Sequence, residues 1–317
     1  MPRFTRAWAM SLLVVAPTLA VAFAAGHSAS SPSTSRSSSS SGSSSSSSTT
    51  QDRPVKMHRG LQKRTSFVIL EEFAHDPEAF TQGLVYEDDG TLLEGTGLYG
   101  KSKLRRVNAK TGEVMASEEI DKRYFGEGIV AVDDKIIQIT WKERKALVYG
   151  RQNLTLLYDF IYDTSNHEGW GITTDGDRLI VSDGSSNLHF WDKTTYQEIP
   201  NSRLRVEDGF GKAVNHLNEL EYAYGYVWAN IWLADDIVQI DPSTGKVVAF
   251  YDFSVLYPHT QRMSVDQVLN GIAYDSTEDV FYLTGKWWPK YYKVKMCIEE
   301  NAVCAADVGD GETSPPK

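Results

Sequence analysis

Glu127 is the residue of this chain best set to move a proton. It stands between Gly126 and Gly128, directly ahead of an apolar strand expected over residues 129–132. Glycine on both sides lets backbone or ligand come close, and an apolar surround raises a carboxyl's proton affinity toward the range useful for acid–base work. After a turn at Asp133-Asp134, a second strand over 135–140 returns the chain to Trp141. Antiparallel pairing then sets Glu127 beside Trp141. On its own the stretch also suits an ordinary turn glutamate next to a core tryptophan. Its repetition along the chain decides between them.

The repeated unit is a glycine, an apolar strand, an acidic turn and a second strand. It begins at Gly83, Gly128, Gly171, Glu219 and Gly271, at spacings of about 43 to 52 residues. Further hairpins of strand, polar turn and strand follow, around Asn108-Ala109-Lys110-Thr111-Gly112, Asp241-Pro242-Ser243-Thr244-Gly245 and Asp192-Lys193-Thr194-Thr195, with a looser one from Tyr149 to Leu157. Two hairpins per repeat make a four-stranded blade, and no amphipathic helix of more than about three turns interrupts them. The expected fold is all-β: a five-bladed β-propeller with four-stranded antiparallel blades, over residues 65–304.

A propeller gathers the starts of its innermost strands around one axis. The positions just ahead of the repeats are Gln82, Glu127, Trp170, Asn218 and Asn270, and the ends of the second strands are Gly97, Trp141, Asp183, Trp232 and Lys286. Phe80 and Phe125 lie two residues before Gln82 and Glu127, so on an extended chain they point the same way. The expectation is a ring of one carboxylate, several amides and a lysine, walled by three of the eight tryptophans. That is the form of a small-ligand site. Asp183, followed by Gly184, reads as a turn cap. Lys286 is next to Trp287-Trp288-Pro289, which partly desolvates it.

The flanks narrow the function classes. Arg3 and Arg6 precede an uncharged run from Ala7 to Ala25, so 1–25 is expected to be a signal peptide or an uncleaved signal anchor. Residues 26–64, dominated by serine, cannot bury enough apolar area to fold and read as a flexible stalk open to O-glycosylation. Residues 305–317 read as a flexible acidic tail. The formal charge of -10 and the lack of a basic stripe argue against nucleic acid. A membrane partner is expected only if the leader stays uncleaved. With such a leader, Cys297 and Cys304 are expected to form a local disulfide, and Asn153-Leu154-Thr155 is a glycosylation sequon in a turn. None of the seven histidines forms an HxH or HxxxH pair, so no metal or other cofactor is expected. The expected location is the secretory pathway: secreted, vacuolar, or in the Golgi or ER lumen.

Several motifs together resemble one family. They are Phe80-Thr81-Gln82-Gly83-Leu84, Phe125-Gly126-Glu127-Gly128, Asn218-Glu219-Leu220-Glu221, Trp228-Ala229-Asn230-Ile231-Trp232, Asn270-Gly271-Ile272-Ala273 and Thr284-Gly285-Lys286-Trp287-Trp288-Pro289-Lys290. From Phe67 to Val294 the chain resembles the plant-type glutaminyl-peptide cyclotransferases. The resemblance implies a metal-independent five-bladed propeller that cyclises the N-terminal glutamine of peptides or proteins to pyroglutamate and releases ammonia. It implies Glu127 as proton shuttle, with Asn218 and Lys286 as catalytic partners. It implies a substrate site of Gln82 with an aromatic wall of Phe80, Phe125, Trp141, Trp170 and Trp232, which Asn270 joins from the ring. A monomer is expected. The chain departs from the family around Ser165-Asn166-His167-Glu168, where a more basic loop would be usual. Two other readings fit the ring: a calcium-dependent lactonase-type hydrolase with Glu127, Asn218, Asn270 and Asp183 as ligands, and a propeller that binds peptides without changing them.

Overall fold

The computed structural model describes residues 67–297. The leader, the stalk, Cys304 and the acidic tail lie outside the described residues. Twenty strands form five four-stranded antiparallel sheets arranged as a five-bladed β-propeller. The first blade holds β2 (Thr81–Tyr86), β3 (Thr91–Thr96), β4 (Lys103–Asn108) and β5 (Val114–Glu119). The second holds β6 (Gly126–Val132), β7 (Lys135–Thr140), β8 (Lys145–Gly150) and β9 (Leu156–Ile161). The third holds β10 (Ile172–Thr174), β11 (Arg178–Ser182), β12 (Asn187–Asp192) and β13 (Leu204–Arg205), and the fourth β14 (Leu217–Ala223), β15 (Tyr226–Ile231), β16 (Asp236–Ile240) and β17 (Val247–Asp252). The fifth takes β18 (Leu269–Asp275), β19 (Val280–Gly285) and β20 (Lys290–Met296) from the C-terminal side, and β1 (Phe67–Ala74) from the N-terminal side. The only helix among the described residues is a single 3-10 turn, His259–Gln261.

Burial falls from the axis outward, and the sequence of each strand follows it. Every residue of β3 and β19 is buried, whereas every residue of β5 is exposed. Second strands are sandwiched between neighbouring blades and are largely apolar, with single buried polar residues such as Glu94 and Gln138; outermost strands carry charge on an open edge. Five apolar clusters fill the five seams between blades. Leu84, Leu92, Ala273 and Val280 join the fifth blade to the first, and Leu93, Ile129 and Ile136 join the first to the second. Each fully buried aliphatic side chain contributes roughly 1.5–3 kcal/mol, so the ring is held by its seams as much as by its sheets.

Closure by β1 is a pairing that the repeat pattern does not announce. β1 pairs antiparallel with β20, from Phe67 opposite Met296 to Ala74 opposite Lys290. A buried polar knot locks the joint just beyond it. Arg105 donates to Glu94 through Nε (3.0 Å) and Nη2 (2.6 Å), Thr81 and Tyr291 donate hydroxyls to Glu94, and His75 Nε2 meets Glu94 Oε1 at 2.9 Å. His75 Nδ1 donates to the Trp288 carbonyl at 2.5 Å. The blade that carries Lys286 is thereby fastened to the first blade. The third blade also departs from expectation: its outer strand is only Leu204–Arg205 and does not follow directly on the turn at 192–195. Pro200 lacks the N–H that a longer outer strand would need.

Candidate active site

In four of the five blades the innermost pairing slips at its first residues. Register breaks lie between Thr81 and Gly83, Gly126 and Ile129, Leu217 and Leu220, and Leu269 and Ile272. A bulge re-aims the side chain it carries, and these four carry Gln82, Glu127, Asn218 and Asn270. All four are buried. In the third blade Trp170 lies ahead of β10 and pairs with Ser182, donating its backbone N–H at 3.0 Å. The carbonyl of Trp170 takes the N–H of Gly128 at 2.9 Å, which links the Glu127 bulge to the next blade. Trp141 donates its backbone N–H to Phe125 across the β6–β7 hairpin at 3.0 Å.

Glu127 is buried, and no hydrogen bond from another described residue reaches its carboxylate. Burial raises its proton affinity well above the usual carboxylate range; Lys286 opposes this, and Glu168 and Glu143 add to it as like charges. Lys286 is equally buried. Desolvation pushes its ammonium down to about 8, against the pull of Glu127 and Asp266. The two interact through space without forming an ion pair. Lys286 Nζ instead sits 4.8 Å from the centre of the Phe80 ring.

The amides are partly engaged with one another. Asn270 Nδ2 donates to the Thr81 carbonyl (2.9 Å) and to Gln82 Oε1 (3.2 Å). Asn270 Oδ1 and Asn218 Oδ1 are buried acceptors without a partner, and an unpaired buried acceptor is costly unless a ligand or water satisfies it. The aromatic residues form two arcs. One runs from Trp287 to Phe80 (ring centres 4.6 Å), Phe80 to Phe125 (6.1 Å), and Phe125 to Tyr99 (5.4 Å) and to Trp141 (5.5 Å). The other is Trp170 against Trp232 (5.5 Å), backed by His216 at 5.7 Å from Trp232. Two glycines make this packing possible. A Cβ on Gly97 would fall 2.4 Å from Phe125 Cε1, and one on Gly184 would fall 2.6 Å from the Trp170 indole.

Asp183 stands apart from this group. Its Oδ1 takes the Ser185 backbone N–H at 3.1 Å, which is the turn cap expected of it. Its Oδ2 takes Ser165 Oγ (2.6 Å), the Asn166 N–H (2.9 Å) and His189 Nε2 (3.1 Å). Both oxygens already accept hydrogen bonds, and no group of three or more His, Cys, Asp or Glu suited to a metal occurs among the described residues. Tyr99, Glu143 and Glu168 were not singled out for a role from sequence. Tyr99 and Glu143 lie on loops whose positions no repeat marks, whereas Glu168 stands two residues before Trp170, the offset that marks Phe80 and Phe125. Arranged this way, the site can hold a short, partly apolar ligand against aromatic faces, offer it two amide acceptors and a cation, and exchange a proton with it.

Comparison with known proteins follows the same line. The family described as glutamine cyclotransferase matches residues 40–296. A glutaminyl-peptide cyclotransferase of Arabidopsis thaliana is 40% identical over 231 residues, which cover 72% of this chain and 70% of that protein. The crystal structure of Myxococcus xanthus glutaminyl cyclase superposes with a TM-score of 0.67 at 30% identity, covering 74% of this chain and 97% of that one.

Proposed function

The chain belongs to the glutamine cyclotransferase family of enzymes, and on that premise we propose that it converts the N-terminal glutamine of peptides to pyroglutamate without a metal, with Glu127 as proton shuttle. The α-amine nitrogen bonds to the side-chain amide carbon of the same residue. The carbon–nitrogen bond to the departing group then breaks, and ammonia leaves. Glu127 takes the proton that the amine gives up and returns it to the leaving nitrogen.

The observation that carries this reading is a buried carboxyl with raised proton affinity, unpaired, within electrostatic reach of a buried lysine. A free α-amine has a pKa of about 7.7–8.0. A carboxyl of ordinary acidity would be a weak base toward it, and burial of Glu127 narrows that mismatch. Lys286 supplies positive charge for the oxyanion of the tetrahedral intermediate. The orphaned oxygens of Asn218 and Asn270 suit N–H groups of the substrate, Gln82 orients its amide, and Phe80, Phe125, Trp141, Trp170 and Trp232 pack its methylenes in a folded, reactive conformer.

The proposal extends to the chain's setting. We read it as a secretory-pathway protein, monomeric, with Cys297 bonded to Cys304 and a glycan on Asn153. Asn153 is exposed, and its Oδ1 takes the Thr155 N–H at 3.1 Å within the turn, which supports an accessible acceptor.

The test is mass spectrometry of a Gln-initiated peptide incubated with the purified protein, with and without chelator. The expected result is a product lighter by one ammonia in both samples. Loss of the reaction with chelator would revive a cation at the ring. A folded protein that binds the peptide and leaves it unchanged would favour a binding propeller.

A further inference from the structure

The two aromatic arcs share no ring contact, yet one atom joins them. Glu168 Oε2 takes the Trp141 indole N–H at 2.8 Å and the Trp170 indole N–H at 2.9 Å. An indole N–H can only donate. With both donors spent on the same oxygen, each ring is held by its edge, and the relative orientation of the two rings is fixed.

Glu168 is itself held in place. Its backbone N–H bonds to Thr164 Oγ1 (3.2 Å), and the Thr164 hydroxyl donates to its carbonyl (2.7 Å). The same loop is pinned at Ser165 and Asn166 to Asp183, which is backed by His189; His189 in turn meets Glu198 Oε1 at 2.8 Å. A Cβ on Gly169 would fall 2.1 Å from the Tyr162 hydroxyl oxygen, so only glycine lets the chain pass that tightly between Glu168 and Trp170. The second oxygen of Glu168 lies 3.9 Å from Lys142 Nζ, and that ammonium sits 3.8 Å from the centre of the Trp141 ring.

We propose that Glu168 is a positioning residue of the cyclisation: its carboxylate clamps Trp141 of the second blade to Trp170 of the third and places a negative charge beside the site. This rests on the function proposed above. The clamp explains how a wall built from separate blades presents one surface to a substrate. The charge acts on Glu127, whose proton affinity Glu168 raises together with Glu143 and against Lys286. The other groups around the clamp are Lys142 and Tyr99, the latter donating its hydroxyl to Glu143 at 2.9 Å. The loop that bears Glu168 is also where the sequence departs from the usual family pattern.

Two substitutions separate clamp from charge. Glu168→Ala removes both; Glu168→Gln keeps an oxygen able to accept both indole N–H groups and removes the charge. In protein labelled with 15N-tryptophan, with resonances assigned through Trp141→Phe and Trp170→Phe, Glu168→Ala should move both indole N–H signals and raise KM for a Gln-peptide about tenfold. Glu168→Gln should leave both signals near their wild-type positions and hold KM within about threefold. With a like charge gone, Glu127 ionises more easily, so the acid limb of kcat/KM in that variant should move to lower pH by about half a unit. Indole signals unmoved in Glu168→Ala, or an acid limb unmoved in Glu168→Gln, overturns the proposal. If the alanine variant does not fold, the glutamine variant's pH profile decides alone. Wild-type protein that releases no ammonia refutes the proposed function. Wild-type turnover with indifferent Glu168 variants refutes only the role of Glu168.

Discussion

Replacing Lys286 with methionine gives the sharpest reading of the Glu127–Lys286 pair. Methionine keeps an unbranched apolar stem against Phe80 and removes the charge. In the native site Lys286 favours the ionised form of Glu127, so its loss must raise the proton affinity of Glu127 further. The size follows from separation. The two side chains form no ion pair within 4.0 Å, and at an effective dielectric of ~20 a charge pair at ~4 Å interacts by about 4 kcal/mol and one at ~8 Å by about 2. As about 1.4 kcal/mol moves a pKa by one unit, the acid limb of kcat/KM should move to higher pH by roughly one to three units. Loss of oxyanion stabilisation should lower kcat by roughly 10²–10³-fold at every pH. The assay is ammonia release from a Gln-peptide across pH 5–10. The substrate's own amine adds the same limb to both enzymes, so the difference belongs to the protein. An acid limb unmoved, or moved to lower pH, in a variant of native circular dichroism refutes the pairing.

Glu127→Gln should lower turnover by roughly 10²–10⁴-fold while leaving the melting temperature unchanged or higher, since it replaces a desolvated carboxyl with a neutral group; unchanged kcat would remove Glu127 from the mechanism. Gly97→Ala drives a methyl against Phe125 and should cost about 1–3 kcal/mol and raise KM, read by thermal melting and steady-state kinetics. Glu219 accepts the backbone N–H groups of Leu84 (3.2 Å) and Ile272 (2.9 Å), and burial, then repulsion from Glu221, raises its carboxyl well above the ordinary range. A group raised on folding contributes its full stability below its unfolded pKa of about 4.5 and loses it as pH rises through the folded value. The melting temperature of Glu219→Gln relative to wild type should therefore climb between pH 5 and 9, and a pH-independent difference would show that Glu219 does not titrate there.

Much of this fold was legible because a propeller repeats. The Asp133-Asp134 turn and the strand after it stand where alternation and turn chemistry set them; four of the five repeat starts fall on innermost strands and the fifth, Gly171, directly ahead of β10. The bulges were not legible. Only the glycines after Gln82, Glu127 and Asn270 hint at them, and they explain why polar residues sit buried where a regular strand would continue its pattern. The closing strand was missed for a physical reason. β1 pairs with residues more than two hundred positions away, and nothing local marks it beyond an apolar run from Phe67 to Leu70. Its trace was the missing second hairpin of the last repeat, where only four such hairpins could be read for five blades. Glu168 stands at a repeat offset, two residues before Trp170, but its bond to the Trp141 indole of another blade is encoded by no spacing along the chain.

The pairing of β1 with β20 also sets a direction for the whole molecule. Ala74 and Lys290 are paired at the end nearest the Lys286 turn, and Phe67 and Met296 at the far end. The two ends of the propeller therefore emerge side by side on the face turned away from Glu127. A propeller tethered through a residue on that face would present its Glu127 side outward. A circularly permuted version, with its old ends joined by a short bridge and new ones opened between blades, would carry its ends on the Glu127 side and lose that orientation.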